Sequence, residues 1–594
     1  MAASVQVTYP GVYIQEIPSG NITITGVATS ITAFVGRTVM GPAEPTDCFS
    51  YADFERYFGG RAFGYPLGYA VEDFFQNGGT HAIIVRVFKA APAKENAVKA
   101  ADNGNANPPH ADETTPAHEG DGKQAVTDQA KDQAKDRTKT PPPDGLARAE
   151  DGGLTLVAAS PGIWANGNLT MTIEVAPAPA QNAANDAKQV SSKKSLTDLA
   201  AVRFERYGLE APDLFTLTLI YKTPDGRQTV ERFQNVAIKG NAAPNRLDRV
   251  LEAQSQLARV PKLSTGKPDL PTTTPGNTTK PVAFGGGADS AELAAADLLG
   301  DPLQRTGIYA LDHVDIFNLL CIPPDPKDAD YGQLELLYQR AAVYCHDRRA
   351  MLIVDPPKSW SDPTKQGQLG VLQPTDLGIT SVLLEARNCA VYFPRIKKLD
   401  PETGQIDVFP ACGALAGIYA ATDNSRGVWK APAGITAGIG GITGLEYNLT
   451  DEQNGQLNPL GINCLRNFPI IGPVVWGART LRGADILSDD YKYIPVRRLT
   501  LYIEESLYRG TQFAVFEPND ETLWSQLRLS IGAFMADLAR QGALYGYDVA
   551  CDKSTTTQYF IDRGIVNVRV AFAPVKPTEF IVLQIQQQAG QTAS

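Results

Sequence analysis

The sequence predicts a multidomain α/β protein, and three observations carry the prediction. Short apolar runs such as DIFNLLCIPP, AMLIVDPP and CAVYFPRI read as buried parallel strands. Helical stretches such as YGQLELLYQRAAVYCHDRR fall between them, giving an alternating pattern. A β-rich stretch lies between two low-complexity segments, as an insertion domain does. With 594 residues, 43% of them hydrophobic, the chain has material for three or four cores.

The elements follow in chain order. Residues 1–23 form an N-terminal arm of short extended pieces broken by Pro10–Gly11 and closed by Pro18–Ser19–Gly20. Residues 24–89 read β-α-α-β. ITGVATSITAFVGRTVMGP holds a buried strand, YADFERYFGG and YPLGYAVEDFFQNGG are helical, and HAIIVRVF is a strand. Residues 90–151 have almost no large apolar side chains and cannot offset the entropy of ordering, so a disordered linker is expected. Residues 152–260 are β-rich, with a PDG hairpin turn and a helix in LDRVLEAQSQLARV. Residues 261–281 read as a Pro/Thr linker.

The dense α/β domain spans 282–464, with a helix expected around PTDLGITSVLLEAR. In the α+β domain 465–577, RRLTLYIEESL reads as a strand. The next stretch reads as a helix over 521–541, with Leu523, Leu527, Ile531, Phe534 and Leu538 on one face and Asn519 as N-cap. Residues 578–594 form a C-terminal arm.

Composition excludes several functions. A net charge of −11 disfavours nucleic acid, which needs a concentrated basic surface. The seven cysteines are widely spaced without a CxxC pair, so reduced, buried thiols are expected rather than disulfides or zinc. The first residues lack the basic start and apolar core of a secretory leader. No stretch approaches the roughly 20 apolar residues of a span, so no direct membrane insertion is expected.

A search for chemistry returns little. There are five histidines and no HExxH or HxH pair, and no GxSxG elbow. Asp355 after AMLIV and His346 before it could be two parts of a hydrolase constellation. An aspartate at a strand end is common, however, and His346 sits in a helical run. FGGGADS, 284–290, lacks the lysine of a phosphate loop and reads as a tight turn. No catalytic residue, cofactor or metal is therefore assigned. Lys492, Arg497 and Arg498 form a small basic cluster, either a solvated strand edge or a docking patch for an acidic partner. Arg528, Asp537 and Arg540 lie on the polar side of helix 521–541.

Several stretches, in order, resemble the contractile tail sheath family of phages and phage-tail-like injection particles. They are PGVYIQEIPSG, FGGGADS, LAGIYAATDNSRGVWKAPAG, LNPLGINCLR, VVWGARTL, YIPVRRL, FEPNDETLW, IDRG and APVKPTEFIVLQI. The sequence departs from the family near CDKSTTTQ, where a Thr run replaces the usual Asn-Thr, and 90–260 lies outside the shared core.

The resemblance implies a subtilisin-like α/β central domain without a protease site. It also implies a non-enzymatic subunit that forms a helical homo-polymer of stacked rings. That sheath surrounds an inner tube and contracts to drive it through a target envelope. Further partners would be baseplate and terminal cap proteins and sheath paralogues. Assembly would take place in the bacterial cytoplasm, within a virion tail or a released or anchored particle.

Strand donation through the arms would join subunits. Val12, Tyr13, Ile14 and Ile17 would anchor the front arm, and Phe580, Ile581, Val582, Leu583 and Ile585 the rear one. Lys492, Arg497, Arg498, Arg528, Asp537 and Arg540 are the candidate inner-tube contacts, and the 152–260 module would sit outermost. The alternatives are a subtilisin-like hydrolase and a shell or tube protein that never contracts.

Overall fold

The computed structural model describes residues 23–90, 144–175, 207–223, 226–329, 331–361, 372–380 and 383–584. Val12, Tyr13, Ile14, Ile17 and Ile585, and most of the expected linker 90–151, lie outside the described residues. The chain divides into two compact units, one of residues 1–89 with 292–594 and the other of 90–291.

The first unit is organised by an eight-stranded sheet. Its strands are β1 (Thr32–Gly36), β2 (Thr46–Cys48), β3 (Ala82–Arg86), β4 (Leu319–Cys321), β5 (Met351–Val354), β6 (Cys389–Phe393), β7 (Ile462–Phe468) and β8 (Gly472–Val475). The order across the sheet is β8-β7-β6-β5-β4-β1-β3-β2. Every pair from β3 to β7 is parallel, and only the edge strands β2 and β8 run antiparallel.

Strands buried on both faces explain the uninterrupted apolar runs. In β1, Ala33 and Val35 point into one core, while Phe34 points into the other. Helix α3 (Tyr331–Asp347) covers the first face, with Leu334, Leu337, Tyr338 and Ala341 buried. On the other face lie α1 (Tyr51–Phe58), α2 (Pro66–Gln76) and α4 (Cys412–Arg426).

Residues 24–89 thus supply three strands of this sheet, and β7 runs across position 464/465. Helices α2 and α4 approach closely because α4 offers glycine. A Cβ on Gly413 would lie 1.9 Å from the Ala70 carbonyl oxygen, and one on Gly417 would lie 2.5 Å from that of Phe74.

Two local expectations change. Around PTDLGITSVLLEAR the structure has two short 3-10 turns, Pro374–Leu377 and Leu384–Asn388, in place of a helix. Gly378, at φ 73° after the first turn, stops it. RRLTLYIEESL is not a strand but part of helix α5 (Ile494–Gly510), which starts with Pro495 in its first turn. Helix α6 (Glu521–Arg540) follows, capped by Asp520 rather than Asn519. Asn519 instead accepts the Trp524 indole N–H at 2.8 Å. Strands β9 (Leu544–Ala550) and β10 (Arg569–Pro574) then form a separate two-stranded antiparallel sheet.

The second unit is antiparallel. One sheet has the order Val282–Ala283, Leu169–Val175, Phe215–Lys222, Gln228–Val236, and a three-stranded sheet joins Arg148–Asp151, Leu154–Ala158 and Ala258–Arg259. The Pro/Thr stretch does not hang free at its end. Thr278 exchanges bonds with the Ile173 backbone, and Asn277 accepts the Val175 N–H. Side-chain pairing has taken over where the sequence lacks apolar anchors. No helix among the described residues is long and apolar enough to cross a membrane.

Candidate functional site

The residues expected to carry function lie at the two chain ends and on α5 and α6. Helix α5 is buried on several sides: Ile494, Val496, Leu499, Leu501 and Ile503 are all covered. Its two arginines are covered as well. Arg498 is 4% exposed and donates to Asp423 at 2.8 and 2.6 Å. Its guanidinium stacks 4.8 Å above the Tyr419 ring. Burial pulls this guanidinium down in pKa, and Asp423 outweighs it, so the group is held above its usual range. Arg497 donates to the Asn388 side-chain carbonyl at 3.1 and 3.0 Å.

Neither arginine is a solvated docking cation. Placing this stretch on a buried helix turns both guanidinium groups into interior hydrogen-bond donors. Lys492 donates to Asp485 at 2.6 Å. On α6, Arg528 pairs with Glu521 and Arg540 with Asp537, all four on the outer side, while Leu523, Leu527, Ile531, Phe534 and Leu538 face the core.

The front chain end, from residue 23, lies along α5. Thr29 accepts from Arg498 Nη2 at 2.8 Å, and the Val27 N–H donates to Ser506 Oγ at 3.2 Å. Gly26 crosses Tyr502 so closely that a Cβ there would lie 1.8 Å from the phenol oxygen. Ile24 packs over Gly510, where a Cβ would come within 2.6 Å of its Cγ2.

The rear chain end is held by a different group. Arg479, 1% exposed, grips Glu579 with two bonds of 2.7 Å. Asn458 Nδ2 at 2.8 Å and the Tyr493 hydroxyl at 3.1 Å donate to the same carboxylate. Burial pushes Glu579 up in pKa, but the Arg479 bonds, with those of Asn458 and Tyr493, hold it below the usual carboxylate range. Immediately after this clasp, Phe580, Ile581, Val582 and Leu583 are 72–82% exposed.

Sequence reading did not select Arg479 or Glu579. Both stand in quoted motifs, VVWGARTL and APVKPTEFIVLQI, but nothing in a sequence pairs two charges 100 residues apart.

The hydrolase constellation does not form. Asp355 is 1% exposed and accepts the Ala411 and Cys412 N–H groups at 2.9 and 3.0 Å, at the start of α4. Burial pushes its carboxyl up to about 6. His346 is exposed near the end of α3, beside Asp347 at 3.3 Å. All seven cysteines are buried and unpaired.

Residues 348–481 match the family model described as phage tail sheath protein central domain, and 488–588 match the phage tail sheath C-terminal domain. The tail sheath protein of Vibrio phage KVP40 is 30% identical over 175 residues, 29% of this chain and 26% of that protein. That of Enterobacteria phage T4 is 27% identical over 29% of this chain and 26% of its own length. The match thus spans about a quarter of these relatives. The tail sheath protein of Burkholderia phage BcepMu is 24% identical over 50% of this chain and 63% of its own. Among solved structures, the contracted helical sheath of the anti-feeding prophage superposes with a TM-score of 0.50 and 20% identity, covering 98% of this chain and all of that one. This last likeness is one of fold.

Proposed function

We propose that the chain belongs to the contractile tail sheath family, whose domain models it matches over 348–481 and 488–588, and that it is a structural subunit that polymerises into a helical sheath around an inner tube and drives the tube through a target envelope on contraction. The observation that carries this reading is the run Phe580–Leu583. Four consecutive large apolar side chains, 72–82% exposed, need a partner surface to cover them. In an extended strand Phe580 and Val582 face one way, and Ile581 and Leu583 the other.

The two-stranded sheet β9–β10 is the matching acceptor on a second copy. Two strands alone are marginally stable, and both outer edges lack a strand partner among the described residues. An arm making about five ladder bonds at ~1 kcal/mol each adds a few kcal/mol before burial is counted. The front arm, with Val12, Tyr13, Ile14 and Ile17, takes the same role towards another neighbour.

On this reading the extended lattice is metastable and the contracted one buries more surface, while the arms stay paired as hinges. Arg528, Asp537 and Arg540, on the outer side of α6, are the remaining candidates for tube contact. The baseplate, terminal cap and sheath paralogues are the further partners. Assembly belongs to the bacterial cytoplasm, within a virion tail or an injection particle. We assign the core a subtilisin-like topology, which its parallel sheet with helices on both faces supports, and no catalytic role.

The test is a chain ending at Glu579, imaged by negative-stain microscopy beside the full chain. The full chain forms wide helical tubes, and the truncated one stays unassembled with the same unfolding profile. Tubes from the truncated chain would overturn the arm linkage.

A further inference from the structure

Both chain ends are rooted on one helix, and at opposite ends of it. The front segment touches α5 at Arg498, Tyr502, Ser506 and Gly510. These positions are four apart, so they form one stripe along the helix, and the segment runs antiparallel to it. It leaves at the helix C-terminus, where Ile24 meets Gly510. The rear segment is held at the helix N-terminus, where Tyr493 precedes the first turn and joins Arg479 on the Glu579 carboxylate. Seventeen residues separate the two roots, about 25 Å at 1.5 Å per residue.

We propose that α5 is a strut that fixes the distance between the two arm roots, and that the Arg479–Glu579 clasp sets where the rear arm begins. The proposal rests on the arm linkage above and adds the element through which one neighbour's pull reaches the other. A bidentate guanidinium–carboxylate pair suits this task. It fixes direction as well as distance, which a single charge contact does not. Rooted at Glu579, the arm is presented with its apolar run already positioned. Released, it would hang from Val575, whose N–H donates to the Ala543 carbonyl at 3.1 Å, and the intervening Lys576–Thr578 would have to be ordered at each binding event.

The clasp is probed with Glu579→Gln in the full chain. Glutamine keeps the size of the side chain but sets an amide donor against a guanidinium donor. Because the native cysteines are buried, spin labels can be placed on Thr23→Cys and on the exposed Thr578→Cys, outside the apolar run, without competing sites. The parent pair gives one narrow distance distribution, the same before and after assembly. E579Q broadens it and raises the critical concentration for tube formation about tenfold.

An unchanged distribution and an unchanged critical concentration in E579Q overturn the strut, as does a parent distance that shifts on assembly. If E579Q does not fold, Tyr493→Phe removes one donor to the same carboxylate. An increase of about threefold is then expected, because the two Arg479 bonds and the Asn458 bond to the carboxylate remain, and no increase overturns the proposal. The chain ending at Glu579 separates the two ideas. If it polymerises, the arm linkage fails; if it does not and E579Q assembles normally, only the strut fails.

Discussion

Replacing Arg498 with methionine distinguishes an interior arginine from a surface one. In the structure the guanidinium is almost fully covered, and it is the charged partner of Asp423, whose side chain is 2% exposed. Methionine fills much of the same space but leaves the Asp423 carboxylate buried without a cation. Removing one member of a buried, hydrogen-bonded pair costs about 3–5 kcal/mol.

The expected loss is therefore about 4 kcal/mol, the middle of that range. The double variant R498M/D423L removes both charges and is expected to recover to within about 1–2 kcal/mol of the parent.

Urea unfolding of the unassembled chain, followed by tryptophan fluorescence, reads these differences in the first unit. A single R498M variant with the parent's midpoint and slope would refute the reasoning. It would mean that the guanidinium faces outward and is free to act as a docking cation.

Two further outcomes follow from the packing and the buried charges. Gly413→Ala drives a methyl into the Ala70 carbonyl at 1.9 Å, where backbone must move. It should cost about 1–3 kcal/mol in the same urea assay, and a neutral result would mean that α2 and α4 are further apart. Asp355, pushed up to about 6 by burial, binds its proton more tightly in the folded chain than in the unfolded one. Its contribution is complete below about pH 4 and is lost as pH rises through about 6, so the parent should lose up to about 3 kcal/mol over that window relative to Asp355→Asn. Parallel pH profiles for the two proteins would rule this out.

How much of this was legible in the sequence depended on whether the signal was local. The parallel strands β4, β5 and β6 announce themselves because a strand buried on both faces has no polar position to interrupt it. Helix α6 keeps one outer polar side, so its apolar spacing of three and four survives. Helix α5 has no such side along most of its length. Its apolar, β-branched and aromatic residues imitate a strand, and the better signal was Pro495 in its first turn.

The chain ends show the same division. Composition and the order of motifs gave the apolar run 580–583 and the family it resembles. Which charged groups act outside the chain and which are consumed within it was decided only by tertiary structure. Arg498 and Arg528 look alike in sequence, yet one is sealed against Asp423 and the other lies at the surface beside Glu521. Arg479 and Glu579 are a hundred positions apart, and the fold alone brings them within 2.7 Å. Hydrophobic periodicity is written along the chain because each residue carries its own transfer free energy. A pairing of charges is a property of two distant positions at once, and it exists only when the folded chain has removed both from water.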